Sequence, residues 1–270
     1  MLANVVTKVK AASFDTAKAA YQLRFSRNCP KTIGLIIGVQ RSGTGMLNQA
    51  FDNDWNCKAF GEHGGFEAQP GKYRLKPYRE AAEFLRQQRA PLVIAKPIIE
   101  TQWAERLVSE IGAKIIWAYR HYEDVAISGQ EQFGSDAIKF NLKSVVENQD
   151  HWYAENMDAE QREIVARYYG ETRPIYDLRV LGWYVRNLFV FRHKALPLTL
   201  SQYETLVSEP REEMRRIYSF LGTEYPGDHI VKHIHSRSVK RGTGIEISDD
   251  IRELGDSMFQ RLKAFAAELA

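Results

Sequence analysis

Short runs of apolar residues, separated by amphipathic stretches, mark the chain from residue 33 onward. Three of these runs are residues 33–39 (IGLIIGV), 91–96 (PLVIAK) and 114–119 (KIIWAY), and residues 196–202 (LPLTLSQ) form a fourth. Runs of this length that are rich in Ile and Val are typical of strands buried on both faces. The pattern therefore predicts four strands.

Helical spacing of apolar residues follows the first three strands, at 44–53, 100–111 and 122–132. Two further helices are predicted, one that ends before Gly222 and one that begins at Ser248. Strands that alternate with helices favour a parallel sheet covered by helices. The predicted fold class is therefore α/β, with a parallel sheet flanked by helices.

Residues 1–30 form a basic segment whose apolar positions recur every three or four residues. They predict an N-terminal amphipathic helix ahead of an α/β domain over residues 31–270. A secretory signal would need a continuous apolar stretch, which is absent from this segment. Packing of the helix on the domain is the favoured interpretation, and a transit peptide or weak peripheral contact with an anionic membrane are the alternatives.

Composition and charge narrow the class of protein. Of the 270 residues, 44% are apolar and 26% charged, as in ordinary globular domains. A net charge of +3 is too small to indicate nucleic-acid binding, and no apolar run approaches the ~20 residues of a membrane span. Cys29 and Cys57 make no disulfide framework, which suits a reducing compartment. We expect a cytoplasmic protein with no nucleic-acid partner and no transmembrane segment.

A glycine-framed loop joins the first strand to the first helix. Gly38 and Gly43 enclose it, and backbone N–H groups at such a helix N-terminus can hold an anion. Arg41 adds a planar cation suited to phosphate or sulfate oxygens, and Ser42 and Thr44 add hydroxyl donors. The segment predicts an anion-binding loop.

This loop departs from the nucleotide-binding motif G-x-x-x-x-G-K-[ST]. Thr44 and Gly45 stand where that motif has Lys and Ser or Thr. The lysine reaches the β- and γ-phosphates and the hydroxyl binds Mg²⁺, so the departure disfavours ordinary ATP or GTP chemistry.

A second anion site is predicted after the strand at 114–119. Arg120 lies at the carboxyl end of that strand, where parallel sheets place their ligands, and Ser128 follows eight residues later. Glu123 and Asp124 fall in the first turn of the helix, where acids are stabilising. Two anion sites indicate a ligand with phosphate groups at both ends.

Four segments together resemble the sulfotransferase family, which uses 3′-phosphoadenosine 5′-phosphosulfate (PAPS). They are GVQRSGT (38–44), YRHYEDVAIS (119–128), SQYETLVSEPREEMRRIYSFLG (201–222) and SVKRGTGIEIS (238–248). The loop is more similar to that of bacterial and tyrosylprotein-type members than to that of cytosolic phenol-type members. The resemblance implies a single α/β domain and a P-loop, nucleoside-kinase-like architecture.

The resemblance also implies which residues bind PAPS and its product, 3′-phosphoadenosine 5′-phosphate (PAP). The residues implied at the 5′ site are Arg41, Ser42, Gly43, Thr44 and Gly45, and those at the 3′ site are Arg120 and Ser128. Tyr203 is a further cofactor-binding residue, and Lys240 or Arg241 is the basic residue that meets the 3′-phosphate.

Catalytic residues are implied in the same way. Lys96 resembles the family lysine that faces the bridging oxygen of the leaving group. Together, Lys96 and Arg41 would supply the positive charge on the leaving phosphate. The catalytic His of cytosolic members is replaced here by Ile98. Glu62, in FGEHGGFE, is the first candidate for the base, since tyrosylprotein-type members carry a catalytic Glu in a similar context. His63 is the second, because an imidazole pKa of about 6.5 suits base work near neutrality.

The acceptor is the least defined part of the prediction. A hydroxyl of a sugar or small molecule is favoured and a peptide hydroxyl is possible, with residues 64–90 and 133–194 on the acceptor side. No metal is expected, because no residue pattern suits one. The competing interpretations are a small-molecule kinase on the same loop fold and a nucleotide-binding module without catalysis.

Overall fold

Five parallel strands build the centre of the computed structural model, which describes residues 14, 16–24, 30–62, 64–68, 74–236, 239–240 and 244–269. In spatial order β2-β3-β1-β4-β5, the strands are numbered along the chain. Their bounds are β1 (Thr32–Gly38), β2 (Cys57–Phe60), β3 (Leu92–Ala95), β4 (Lys114–Tyr119) and β5 (Leu198–Gln202). All four predicted strands are present, and the predicted fold class is confirmed.

The strand β2 was not predicted. Its sequence is CKAF, and only Cys57 and Phe60, at its two ends, are buried. It lies at the edge of the sheet and pairs with β3 alone, in register Cys57↔Leu92 to Phe60↔Ala95. A strand this short, with Lys58 near its middle, has neither an apolar run nor a clean alternation to reveal it.

Helices cover both faces of the sheet. Their bounds are α1 (Thr44–Asp52), α2 (Tyr78–Arg86), α3 (Ala104–Arg106), α4 (Tyr122–Val146), α5 (Ala159–Tyr168), α6 (Ile175–Asn187), α7 (Tyr203–Ser208), α8 (Pro210–Leu221) and α9 (Asp249–Glu268). A 3₁₀ turn (Ile98–Trp103) and a π turn (Leu107–Ile111) flank α3. The helix predicted over 122–132 continues to Val146, but non-helical torsion angles at Gly134 (φ 67°, ψ −177°) break it into two parts.

The sheet separates two apolar cores. Because side chains alternate across a strand, Leu35 and Ile37 of β1 enter one core while Ile36 enters the other. The larger core includes the fully buried Trp117 and Trp183. With both faces covered, the carboxyl-terminal edge of the sheet is the open region where loops can form a site.

Residues 16–24 are helical and pack beside the sheet edge. The Gln22 side-chain amide donates to the backbone oxygens of Trp55 (2.9 Å) and Cys57 (3.1 Å), and Lys18 pairs with Asp52. The rest of the predicted helix over 1–30, Cys29 included, lies mostly outside the described residues. The division at residue 30 therefore stays a prediction.

Within the described ranges, no helix combines the length and the apolar composition that crossing a bilayer requires.

His193 makes stability depend on pH. It ends the 3₁₀ turn Leu188–His193 and is 4% exposed. Burial lowers the pKa of its imidazole, an effect partly opposed by the Glu105 carboxylate 3.7 Å away. The unfolded chain therefore takes up the proton more readily than the folded protein. The stability due to this group is present above the unfolded pKa of about 6.5 and is lost as pH falls below it.

We expect His193→Leu to flatten the decline in unfolding free energy between about pH 7 and pH 5, because the proton-binding difference between the two states disappears. Urea denaturation at several pH values measures this. The exposed His229, substituted by Gln, is the control and should leave the decline unchanged. An equally steep decline in His193→Leu would contradict the assignment.

Candidate active site

The loop between β1 and α1 depends on glycine at both ends. Gly38 (φ 124°) lies against β4, and a Cβ there would come 2.3 Å from the backbone oxygen of Ala118. Its N–H donates to the Thr101 hydroxyl at 3.1 Å. Gly43 (φ 89°) caps α1, and a Cβ there would lie 2.5 Å from Cδ2 of Tyr203. Both positions combine a left-handed backbone with a close approach, which only glycine tolerates.

The same loop leaves polar groups available for an anion. The Ser42 hydroxyl is buried and has no hydrogen-bond partner among the described residues. The N–H groups of Thr44 and Gly45 lie in the first turn of α1, where a helix offers no acceptor of its own. Arg41 adopts φ 71°, an uncommon conformation for a residue other than glycine that often marks functional sites. The loop therefore has the glycine-framed strand-to-helix geometry that the sequence predicted, and its binding of an anion stays a prediction.

Residues of the two predicted anion sites meet directly. The Nε atom of Arg41 donates to the Ser128 hydroxyl at 2.9 Å, although the residues are 87 positions apart. Arg120 Nη1 lies 3.5 Å from the backbone oxygen of Arg41. The carboxyl end of β4 and the start of α4 thus face the loop, as expected for neighbouring strands of a parallel sheet.

Arg120 is fixed by its neighbours. Its Nη2 atom lies 3.1 Å from Asp124 Oδ2, with both side chains about 95% buried, and its guanidinium stacks 4.2 Å from the Tyr203 ring. The backbone N–H of Lys240 donates to the same Asp124 oxygen at 2.9 Å, while the Lys240 side chain is exposed. The sequence predicted only a helix-stabilising role for Asp124, and the structure adds that of holding Arg120.

Glu62 and Lys96 form an ion pair at the same edge of the sheet. Lys96 follows β3 and Glu62 follows β2, and their Nζ and Oε1 atoms are 3.0 Å apart. The side chains are 14% and 29% exposed, so both are accessible from solvent. The two residues that the family resemblance implies as base and as cation thus lie in contact.

Most of these residues line a cavity of about 270 Å³, which we call the loop cavity. The predicted site residues that line it are Arg41, Gly43, Thr44, Gly45, Glu62, Lys96, Arg120, Ser128 and Tyr203. Ser42 and Lys240 adjoin it without lining it. His63 and Arg241 lie outside the described residues, so their proposed roles stay predictions.

Four lining residues of the loop cavity were not singled out as binding residues: Gln40, Met46, Ile98 and Phe133. Phe133 is 40% exposed, directly before the break at Gly134. A large exposed apolar residue next to a glycine inside a helical pattern is a weak signal that could have pointed to it.

The described residues contain no group of three or more His, Cys, Asp or Glu side chains arranged to hold a metal ion.

Comparisons with known proteins agree with this geometry. The sequence profile of the family described as "Sulfotransferase domain" matches residues 32–254. Among the curated proteins, no relative matches significantly. A sulfotransferase from Alicyclobacillus acidocaldarius is similar in structure, with TM-score 0.50 and 17% identity, covering 90% of this chain and 96% of that one. The sulfotransferase domain of the Synechococcus PCC 7002 olefin synthase matches with TM-score 0.52 and 17% identity, covering 86% and 96%.

These structural likenesses establish the fold, and the profile match covers most of the chain. The four segments that resemble the family in sequence lie within or overlap residues 32–254. The chain therefore belongs to the sulfotransferase family, whose members are enzymes that transfer sulfuryl groups.

Proposed function

We propose that this protein transfers the sulfuryl group of PAPS to the hydroxyl of a sugar or small molecule and releases PAP. The observation that carries the proposal is the loop cavity. It places the Arg41–Ser128 contact and Arg120 in the same space as the Glu62–Lys96 pair. Binding groups for two anionic ends and a base–cation pair therefore share one cavity.

The described residues suit a ligand with two anionic ends. Ser42, whose buried hydroxyl has no partner in the described part of the chain, and the first N–H groups of α1 would hold the phosphosulfate. Arg120 and Ser128 would hold the 3′-phosphate, with Tyr203 stacked on Arg120. Arg guanidinium groups bind such oxygens through charge-assisted hydrogen bonds. Lys240 or Arg241 would add a further positive charge.

The reaction needs an acceptor oxygen in line, a proton acceptor and positive charge on the leaving group. PAPS, when bound, supplies the activated sulfuryl group. Glu62 would take the proton from the acceptor hydroxyl. The hydroxyl oxygen would bond to sulfur while the bond from sulfur to the phosphate oxygen breaks, and Arg41 and Lys96 would stabilise the charge on the departing phosphate. His63 remains the alternative proton acceptor.

The ion pair between Glu62 and Lys96 sets the order of the steps in this scheme. In the free protein the Lys96 ammonium group is held by the Glu62 carboxylate at 3.0 Å. Lys96 would find a second anionic partner in a bound phosphosulfate. Glu62 would then be free to accept a proton.

Thermal denaturation with PAP, compared with ATP plus Mg²⁺, tests the proposal. Ligand at a hundred times its Kd stabilises the folded state by about 2.7 kcal/mol. We expect PAP to raise the melting temperature and ATP with Mg²⁺ to have little effect. Stabilisation by ATP with Mg²⁺ alone would overturn the proposal in favour of a kinase.

Loss of Arg120 is expected to weaken PAP binding by about 10–150-fold, since a charge-assisted phosphate contact is worth about 1.5–3 kcal/mol. Arg120→Ala should also lower the melting temperature, because the buried Asp124 carboxylate loses a cation. Ser128→Ala should weaken binding less and leave the melting temperature unchanged. Isothermal titration with PAP measures both affinities.

Arg120→Ala combined with Asp124→Asn separates the two effects. Asp124→Asn removes the buried carboxylate that lost its cation, so the melting temperature should recover while PAP affinity stays low. Adenosine 5′-phosphate is the matched ligand without a 3′-phosphate. Equal affinity of the unmodified protein for PAP and adenosine 5′-phosphate would remove the 3′ site from the proposal.

A further inference from the structure

A second cavity adjoins the loop cavity. It measures about 70 Å³, and we call it the arginine cavity because Arg41, Arg179 and Arg186 line it, together with Trp152, Tyr153 and Trp183. The two cavities share residues of the loop, of the 3₁₀ turn Ile98–Trp103 and of α4 at their boundary. These shared residues are Gln40, Arg41, Ile98 and Phe133.

The arginine cavity has an unusual charge balance. Three arginines line it, and none of the described residues along its wall is acidic. The carboxylates of Glu100 and Glu155 act on Arg186 from outside the cavity wall. Both pair with Arg74, at 3.0 Å and 2.7 Å. Among the described residues, no carboxylate lines the cavity or pairs directly with Arg186.

Arg186 is the deepest of these cations. It is 5% exposed and its Nη2 atom donates to the Gln102 side chain at 2.9 Å, but its buried Nη1 atom meets no acceptor in the described ranges. The guanidinium lies 5.2–5.5 Å from the rings of Trp152, Tyr153 and Phe189. Buried N–H groups are nearly always satisfied, so a free one at a cavity wall indicates a ligand that completes it.

Arg186 remains a cation at neutral pH. Burial lowers its pKa to about 10, which still leaves it protonated. Nearby, Arg179 is half-buried; its Nη2 donates to the Gly134 backbone oxygen, and its Nε finds no acceptor among the described residues. A buried cation that no carboxylate contacts directly is costly, and functional sites are where such costs persist.

We propose, on the basis of the function proposed above, that the arginine cavity binds an anionic group of the acceptor, such as a carboxylate, sulfonate or phosphate. A cavity of about 150 Å³ holds a benzene molecule, so 70 Å³ suits an anionic group with a few carbon atoms rather than a whole sugar ring. The rest of the acceptor extends past Arg41 into the loop cavity, where its hydroxyl meets Glu62.

This assignment narrows the acceptor class. The substrate is a hydroxy acid, an acidic sugar or a similar molecule that carries both an anionic group and the reacting hydroxyl. A neutral amide isostere offers the N–H groups of Arg186 and Arg179 one uncharged acceptor oxygen, so it binds more weakly than an anion that makes charge-assisted hydrogen bonds.

The test uses small probes on protein saturated with PAP, so that the loop cavity is occupied by that ligand. Methanesulfonate and acetate are titrated against acetamide at constant ionic strength, by thermal shift and isothermal titration. We expect at least 10-fold tighter binding of the anions than of acetamide. Equal, negligible binding of all three would overturn the inference.

Substitutions assign the effect to Arg186. Arg186→Met keeps an apolar stem between the rings and should weaken anion binding at least 30-fold without weakening PAP binding, and Arg186→Lys should restore part of it. Arg192 also stacks over Phe189, at 5.0 Å, but pairs with Asp158, so Arg192→Met is the matched control and should bind anions normally. If Arg186→Met does not fold, Arg179→Gln provides the same test and is expected to weaken anion binding by a smaller factor. Unchanged anion binding in the folded variant would refute the assignment.

PAP affinity, measured in the same titrations, keeps the two proposals apart. Normal PAP binding without anion binding refutes the arginine cavity alone. Failure of PAP to bind refutes the proposed function. In that case anion titration of the free protein, compared between Arg186→Met and Arg120→Ala, still shows which cavity binds the anions.

Discussion

Substitution of Glu62 by Gln is expected to lower turnover by about 10²–10⁴-fold while PAP affinity changes little. The amide keeps the shape of the side chain and can still accept a hydrogen bond from Lys96, now 3.0 Å from Glu62 Oε1. It cannot accept a proton from the acceptor hydroxyl. A loss confined to the chemical step is the pattern expected of a general base, whereas loss of a binding residue would raise Kd for PAP.

Comparison with His63→Asn decides between the two candidate bases. We expect this variant to lose less activity than Glu62→Gln. PAPS hydrolysis or transfer to a panel of hydroxy acids provides the assay, with PAP titration as the readout of cofactor binding. A large loss in His63→Asn with near-normal Glu62→Gln would transfer the role to the histidine. Small losses in both would mean that the acceptor is deprotonated by another group.

The strands and the phosphate loop could be predicted because their signals are local. β1 and β4 are buried on both faces, so their sequences are nearly uninterrupted apolar runs. Gly38 and Gly43 mark the loop because their backbone angles exclude other residues. The strand β2 carries no such signal, since it has four residues and only the two at its ends are buried.

The meeting of Arg41 with Ser128, and of Glu62 with Lys96, follows from topology. Each of these residues lies in the segment that directly follows a parallel strand. The carboxyl ends of parallel strands share one edge of the sheet, so these segments meet there. For Arg41, Lys96 and Ser128, position relative to the predicted strands was therefore enough to place them at one edge of the sheet. Glu62 follows β2, which was not predicted, so only the family resemblance placed it in the candidate site.

The second role of Asp124 and the charge of the arginine cavity could not be predicted in this way. Arg186 lies on α6, and it lines the cavity only because α6 packs on α4, while Glu100 and Glu155 lie outside the cavity wall and pair with Arg74. Whether a buried arginine meets a carboxylate directly depends on which elements pack together. That is a property of the folded structure, and no spacing in the sequence records it.

Replacement of Gly38 by Ala is expected to cost about 3–5 kcal/mol of unfolding free energy and to abolish detectable PAP binding. The new Cβ would lie 2.3 Å from the Ala118 backbone oxygen, in the pairing of the central strands β1 and β4, where neither backbone can move freely. The residue must also adopt φ 124°, which L side chains rarely take. Any shift that relieves the clash displaces both the loop and Arg120, two residues beyond Ala118.

Gly45→Ala is the matched control for Gly38→Ala. A Cβ at Gly45 has no heavy atom within 4 Å, and the residue lies in the first turn of α1 with ordinary helical backbone. Alanine there should leave unfolding free energy unchanged or raise it by about 0.5–1 kcal/mol, because glycine loses more entropy on folding. Chemical denaturation of both variants, followed by PAP titration of each folded protein, gives the comparison. A stable Gly38→Ala variant that still binds PAP would show that the sheet opens between β1 and β4 at little cost, and that the loop does not depend on their close approach.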